Sequence, residues 1–258
     1  MNVLQNLIEL YDRLPFDSTY RAVVKGILLN LQAAAEANVY ELAELTASSR
    51  TTIWRMLQML GYENYGAFHH ALKAAVRKYT FYNRIVPAAA ADEAAVVSEV
   101  AVQLEAAAKA VDADLVPAKL VKMSERILKA GSVSFFFPYR TAAIKSFQQN
   151  LAAAGIDSDV ASLLTDMLYC AKHLKDGSIV FFMTVEYAET QDMTEVFENL
   201  EKHDAYTVLF SGDRSRYDLY VKEQVCKGAE TAGVLSSVVR FESYIFALSE
   251  VFRRVAGI

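Results

Sequence analysis

The chain has 258 residues, 53% hydrophobic and 22% charged, with a formal net charge of −5, a balance that fits a globular protein with a full core and excludes a generally basic nucleic-acid coat. Its longest stretch without a charged residue, Ser146 to Ile156, is eleven residues, well short of the roughly 20 needed to span a membrane. The opening MNVLQNLIELYDR has no basic start before an apolar centre, so no secretory signal is expected, the expected location is cytoplasmic and no membrane partner is expected.

Residues 19–31 place Val23, Val24, Ile27, Leu28 and Leu31 at helical spacing, with Asp17 or Ser18 as the expected cap. A short helix follows over Tyr40–Thr46, then a turn through Ala47-Ser48-Ser49. A second helix runs from Arg50 to about Leu60 and stops at Gly61. Ala67–Tyr79 is a further amphipathic helix, so the head is all-helical, with four or five short helices. Ile85–Ala91 reads as a linker, Asp92–Val111 as a long alanine-rich helix and Pro117–Lys129 as another.

The pattern then changes. Ser132–Pro138, Ser178–Thr184 and Ala205–Phe210 are short apolar runs rich in strand-favouring residues. Between them lie helix-patterned stretches at Thr141–Ala154, Leu163–Leu174 and Gln191–Lys202. Continuous apolar strands alternating with helices imply a parallel sheet covered on both faces, a three-layer αβα sandwich. A weaker strand is expected at Leu219–Lys222, and the last helix over Ser237–Val255.

Charge follows this division. Nine Lys/Arg against seven Asp/Glu leave +2 on residues 1–85, and seventeen against twenty-four leave −7 on the rest. A mildly basic head on an acidic body suits DNA contact by the head alone.

The segment Val39–Phe68 carries the strongest functional signal. A helix, a tight turn and a second helix opening on hydroxyls and arginines is the layout of a helix-turn-helix, whose second helix enters the major groove. Ser48, Ser49, Arg50, Thr51, Thr52, Trp54 and Arg55 are the candidate DNA-binding residues. Ser49 is also a plausible N-cap, and Arg50 or Arg55 suits guanine or phosphate. Ile53, Met56, Leu57 and Leu60 should face inward against Leu42, Ala43 and Leu45. Trp54 either lies exposed against the DNA backbone or wedges between helices. The bland alternative is an αα-hairpin with no DNA role.

Leu42-Ala43, Ser48-Ser49, Thr52-Ile53-Trp54-Arg55, Leu60-Gly61-Tyr62 and Gly66-Ala67-Phe68 together resemble the head of the RpiR family of bacterial transcriptional regulators, over about residues 15–80. The resemblance implies a C-terminal SIS (sugar isomerase) domain that binds phosphosugars. The order of elements from about residue 112 is similar to such a domain. The implied division is a helix-turn-helix DNA-binding domain at 1–84, a linker and connecting helix at 85–111, and a SIS-like α/β domain at 112–258.

The family's sugar-phosphate loops, Gly-x-Gly-x-Ser and Ser-x-Ser-Gly-x-Thr, use glycine to let backbone N–H groups approach the phosphate and hydroxyls to donate to it. This chain departs at both. Phe137-Pro138-Tyr139-Arg140-Thr141 has no glycine after the first strand, and Thr184–Thr190 carries Glu186 and Glu189, which would repel a phosphate. The candidate effector residues are Tyr139, Arg140, Thr141, Thr184, Glu186 and Thr190, in an atypical site.

No catalytic set stands out, and no cofactor is called for. His69 and His70 lie in the head, His173 near a helix end and His203 in a polar turn, none with metal-ligand spacing. Nothing in the sequence favours Glu186, Glu189 or Glu242 as a base. Cys170 and Cys226 read as free thiols. The expected function is a non-enzymatic DNA-binding transcriptional regulator. Its partners would be a palindromic double-stranded operator, a second copy of the chain in a homodimer or higher oligomer, and a phosphosugar or related metabolite. The alternative is a SIS-type phosphosugar isomerase or deaminase.

Overall fold

The computed structural model describes residues 3–82, 92–137, 141–183, 192–210, 219–228 and 234–258. Six helices come first: α1 (Val3–Arg13), α2 (Thr19–Leu29), α3 (Leu31–Glu36), α4 (Val39–Leu45), α5 (Arg50–Met59) and α6 (Tyr65–Tyr82). They enclose one core, built on Leu7, Val24, Ile27, Leu42, Ile53, Met56, Leu60 and Phe68. The stops follow from local chemistry. Gly61 takes φ +79° after α5, its N–H donates to the Gln58 carbonyl, and the Tyr62 N–H donates to that of Leu57. This is the paired bond set of a Schellman stop, in a conformation that favours glycine. The expected linker at 85–91 lies outside the described residues.

Two helices then lead into the sheet. α7 (Glu93–Asp114) is capped by the Asp92 carboxylate, which accepts from the Ala95 N–H at 2.8 Å. α8 (Pro117–Ala130) opens on proline and closes at Gly131.

The remaining elements alternate as far as β4 and then run β5, α12: β1 (Ser132–Phe136), α9 (Ala142–Ala153), β2 (Asp157–Ala161), α10 (Leu164–Lys172), β3 (Ile179–Met183), α11 (Thr194–Lys202), β4 (Tyr206–Phe210), β5 (Glu223–Val225) and α12 (Val234–Ala256). The strands form one sheet in the order β2-β1-β3-β4-β5, with every pairing parallel. One face packs Phe135, Phe137, Phe181 and Phe210 against α8, α9 and α12. The other packs Phe136, Val180, Phe182 and Leu209 against α10 and α11. This is the three-layer αβα sandwich expected from the alternation.

The structure differs from the sequence reading in particulars. α1 and α3 are additional helices. β2 is an additional edge strand, alternating exposed and half-buried up to a buried Ala161, because Asp157 and Asp159 point to water. The strand placed at 219–222 forms instead at Glu223–Val225, where the backbone reaches its partner β4. The first apolar run ends its strand at Phe136, two residues before Pro138.

Among the described residues, contacts at Leu163, Thr165 and Asp166 join the helical head to the α/β body. Leu163, in the loop after β2, is buried within the head's core. The Thr165 hydroxyl donates to the Met59 carbonyl at the end of α5, at 3.1 Å. Arg13 of α1 pairs with Asp166. Farther along, α7 is fastened to α12 by a two-pronged ion pair. Arg240 Nε and Nη2 donate to Asp114 at 2.7 and 2.8 Å, and Nη2 also donates to the Lys227 carbonyl at 3.0 Å.

Candidate nucleic-acid interface and ligand edge

The turn between α4 and α5 is built from its own hydroxyls. Thr46 Oγ1 donates to the Leu42 carbonyl at 2.8 Å and shares a hydrogen bond with Ser48 Oγ at 2.9 Å. Ala47 takes φ +47°, a left-handed turn residue that swings the chain into α5. Ser49 caps α5 as its sequence position predicts: its Oγ accepts from the Thr52 N–H at 3.1 Å and bonds Thr52 Oγ1 at 2.9 Å. α2 crosses close behind, where a Cβ on Gly26 would meet Thr46 Cγ2 at 3.0 Å. A larger side chain there would push the turn off α2.

The hydrogen bonds of the turn separate the seven candidate DNA residues. Ser48, Ser49 and Thr52 spend their hydroxyls holding the turn. Arg50, Thr51, Trp54 and Arg55 are exposed on the outer side of α5, while Ile53, Met56 and Leu57 face the core. Trp54 is 54% exposed, which settles its placement: it does not wedge between helices. The Arg50 guanidinium lies over the exposed ring of Tyr40, 4.5 Å from its centre. Tyr40 on α4 is thus a member of this face that the sequence reading left out. An aromatic seven residues before the Ala47-Ser48 turn was its only sequence signal.

The body's ligand edge follows from topology. In an open parallel sheet of order 2-1-3-4-5, the chain runs opposite ways from β1 and from β3, opening a crevice beyond their carboxyl ends. The segments that leave those ends hold all six candidate effector residues. Tyr139, Arg140, Thr184, Glu186 and Thr190 lie outside the described residues. Thr141 is described: it caps α9, its Oγ1 accepting from the Ile144 N–H at 3.2 Å.

The preceding N–H of α9 already has an anionic partner. Ala143 N–H donates to Glu242 Oε2 of α12 at 3.3 Å. A carboxylate of the chain itself therefore sits where a helix N-terminus would otherwise receive a phosphate. Glu242, which no sequence feature singled out, adds a described negative charge to an edge the sequence already marks as acidic. At the end of β2 the Ser162 hydroxyl is buried and has no hydrogen-bond partner among the described residues.

The thiols are chemically quiet. Burial, reinforced by Asp159 and Asp166, pushes Cys170 up to about 11. Burial raises Cys226 further, against the opposing pull of Arg240. Both are free. Among the described residues no group of three or more His, Cys, Asp or Glu is placed to hold a metal ion. No described helix is long and apolar enough to cross a membrane.

No protein-family profile matches the sequence, and no curated protein matches it. Among solved structures, the Vibrio vulnificus NanR protein complexed with ManNAc-6P is similar at 18% identity. That match covers 98% of this chain and 90% of the other, with a TM-score of 0.41.

Proposed function

We propose that this protein is a DNA-binding transcriptional regulator of the RpiR type, whose SIS-like body pairs two chains and holds a small effector at the carboxyl edge of its sheet. The observation that carries this reading is the outer face of α5. Two arginines, a threonine and an exposed tryptophan point away from the core, and the turn that presents them is fixed by its own hydrogen bonds. An αα-hairpin serving only as packing has no use for an exposed tryptophan flanked by arginine.

Two-fold pairing would place two α5 helices over half-sites about 34 Å apart. Support for pairing comes from α7 beside α12. Val97 and Leu104, seven residues apart and so on one helix face, are 70% and 41% exposed, and Phe246 of α12 is 45% exposed. The effector is read as a phosphosugar or related metabolite. Glu242 at α9 explains why its site would differ from a standard phosphate cradle. An effector acts by favouring one arrangement of the two heads over another.

Footprinting on the DNA upstream of the protein's own reading frame tests the proposal. A protected palindrome is expected, and Arg55→Ala should weaken protection with the fold intact. A folded dimer that protects nothing at low salt refutes it.

A further inference from the structure

A recess of about 440 Å³ lies at the opposite, amino edge of the sheet, bounded by the end of α8 and the starts of β3 and β4. That volume is in the range of small-ligand sites. Four cations line it, Arg126, Lys129, Lys175 and Lys222, against two acids, Asp176 and Asp204. In a body whose overall charge is negative, this is a local reversal of sign.

Two of the cations are held in place. The Arg126 guanidinium lies 3.7 Å above the Tyr206 ring, and that ring is tied down by its hydroxyl, which donates to Glu223 at 3.0 Å. Lys175 Nζ donates to the Ala130 carbonyl at 2.9 Å. One of the two acids is drawn aside, since Asp176 pairs with His203 Nδ1 at 2.7 Å. Lys129 and Lys222 are exposed at the recess.

We propose that this amino-edge recess binds a phosphorylated small molecule, with Lys129 and Lys222 as its principal charge partners and Arg126 and Lys175 as the positioned pair. Lysine ammonium groups serve phosphate as point charges and tolerate several poses. Concavity favours a compact ligand over an extended polyanion, and Asp204 selects against anions that reach across the recess. The site is distinct from the carboxyl edge and from the α5 face, and it stands whether or not the regulator reading holds.

The test is calorimetric titration of inorganic pyrophosphate, without divalent metal and at fixed ionic strength, into the full chain. The expected result is saturable binding at one site per chain. Lys129→Gln with Lys222→Gln should weaken it by about tenfold or more, the scale of removing charge-assisted contacts. Both side chains are exposed, so circular dichroism and melting temperature should be unchanged. Lys145→Gln, an exposed lysine in the first turns of α9, should leave the affinity as it was. Absence of saturable binding, binding that survives the double variant, or binding lost in Lys145→Gln overturns the proposal. If the double variant fails to fold, Lys129→Glu alone decides: unchanged affinity overturns the site, and a loss of at least the same size supports it.

Discussion

Removing Asp114 should be among the most damaging single changes in the body. Its carboxylate and the Arg240 guanidinium are each only 8% exposed. They meet through two hydrogen bonds, with a third running from Arg240 to the Lys227 carbonyl. Asp114→Ala removes the buried carboxylate that accepts two hydrogen bonds from Arg240 while leaving Arg240 away from water. Breaking a buried pair from one side costs about 3–5 kcal/mol, because a buried charge loses the carboxylate it was paired with. Asp114→Leu combined with Arg240→Met removes both charges and should fall within about 1 kcal/mol of the parent, since apolar replacements of buried pairs are often neutral or better. Urea unfolding followed by far-ultraviolet circular dichroism measures Asp114→Ala and the four corners of the cycle: parent, Asp114→Leu, Arg240→Met and the double variant. The fluorescence of Trp54, exposed on the head, reports whether the loss reaches that far. The reasoning fails if Asp114→Ala costs less than about 1 kcal/mol and the cycle is additive within about 0.5 kcal/mol.

Three further outcomes are expected. Burial, with Glu41 nearby, raises the Tyr65 hydroxyl from 10.0 to about 12. A folded value above the unfolded one means stability present below pH 10 and lost as pH rises from 10 toward 12. Tyr65→Phe should flatten that loss in alkaline melts. It should also cost about 1 kcal/mol at neutral pH, for the bond its hydroxyl donates to the Ala37 carbonyl at 2.5 Å; an unchanged alkaline limb would refute the assignment. Cys170, with its thiol at about 11 instead of 9.0, should carry about a hundredfold less thiolate at neutral pH than an ordinary thiol. Iodoacetamide labelling should be correspondingly slow, and a rate equal to that of free cysteine would contradict it. Glu242→Gln removes the carboxylate at the start of α9 and should strengthen phosphate protection in thermal-shift assays; weaker or unaltered protection would count against the anion seat there.

Legibility in the sequence tracked burial on both faces. β1, β3 and β4 are covered above and below, so SVSFF, IVFFM and YTVLF read as unbroken apolar runs. β2 and β5 are edge strands. DSDVA and EQV resemble loops until a neighbouring strand supplies their hydrogen bonds. Ser49 and Gly61 were legible because capping and stopping depend on a few adjacent residues. Tyr40 and Glu242 were not, because each acts on a residue brought close by folding: Glu242 lies 99 positions from Ala143. Trp54 had two open placements, and the choice between them was made by Ile53, Met56 and Leu57, which fill the inner side of α5 and leave no room for an indole.

The Leu163 contact bears on how this chain can be divided. A fragment ending before α7 would lack a leucine that the intact head keeps in its own core, and the Met59 carbonyl would lose the Thr165 hydroxyl. The severed head would therefore carry an open apolar notch worth about 1.5–3 kcal/mol of lost burial, and its melting point would understate its stability in the whole protein. The loop that fills that notch leaves the carboxyl end of β2, beside the ligand edge. Any ligand that shifts this loop changes the cost of moving the head, and whatever seizes the head returns the same free energy to the ligand.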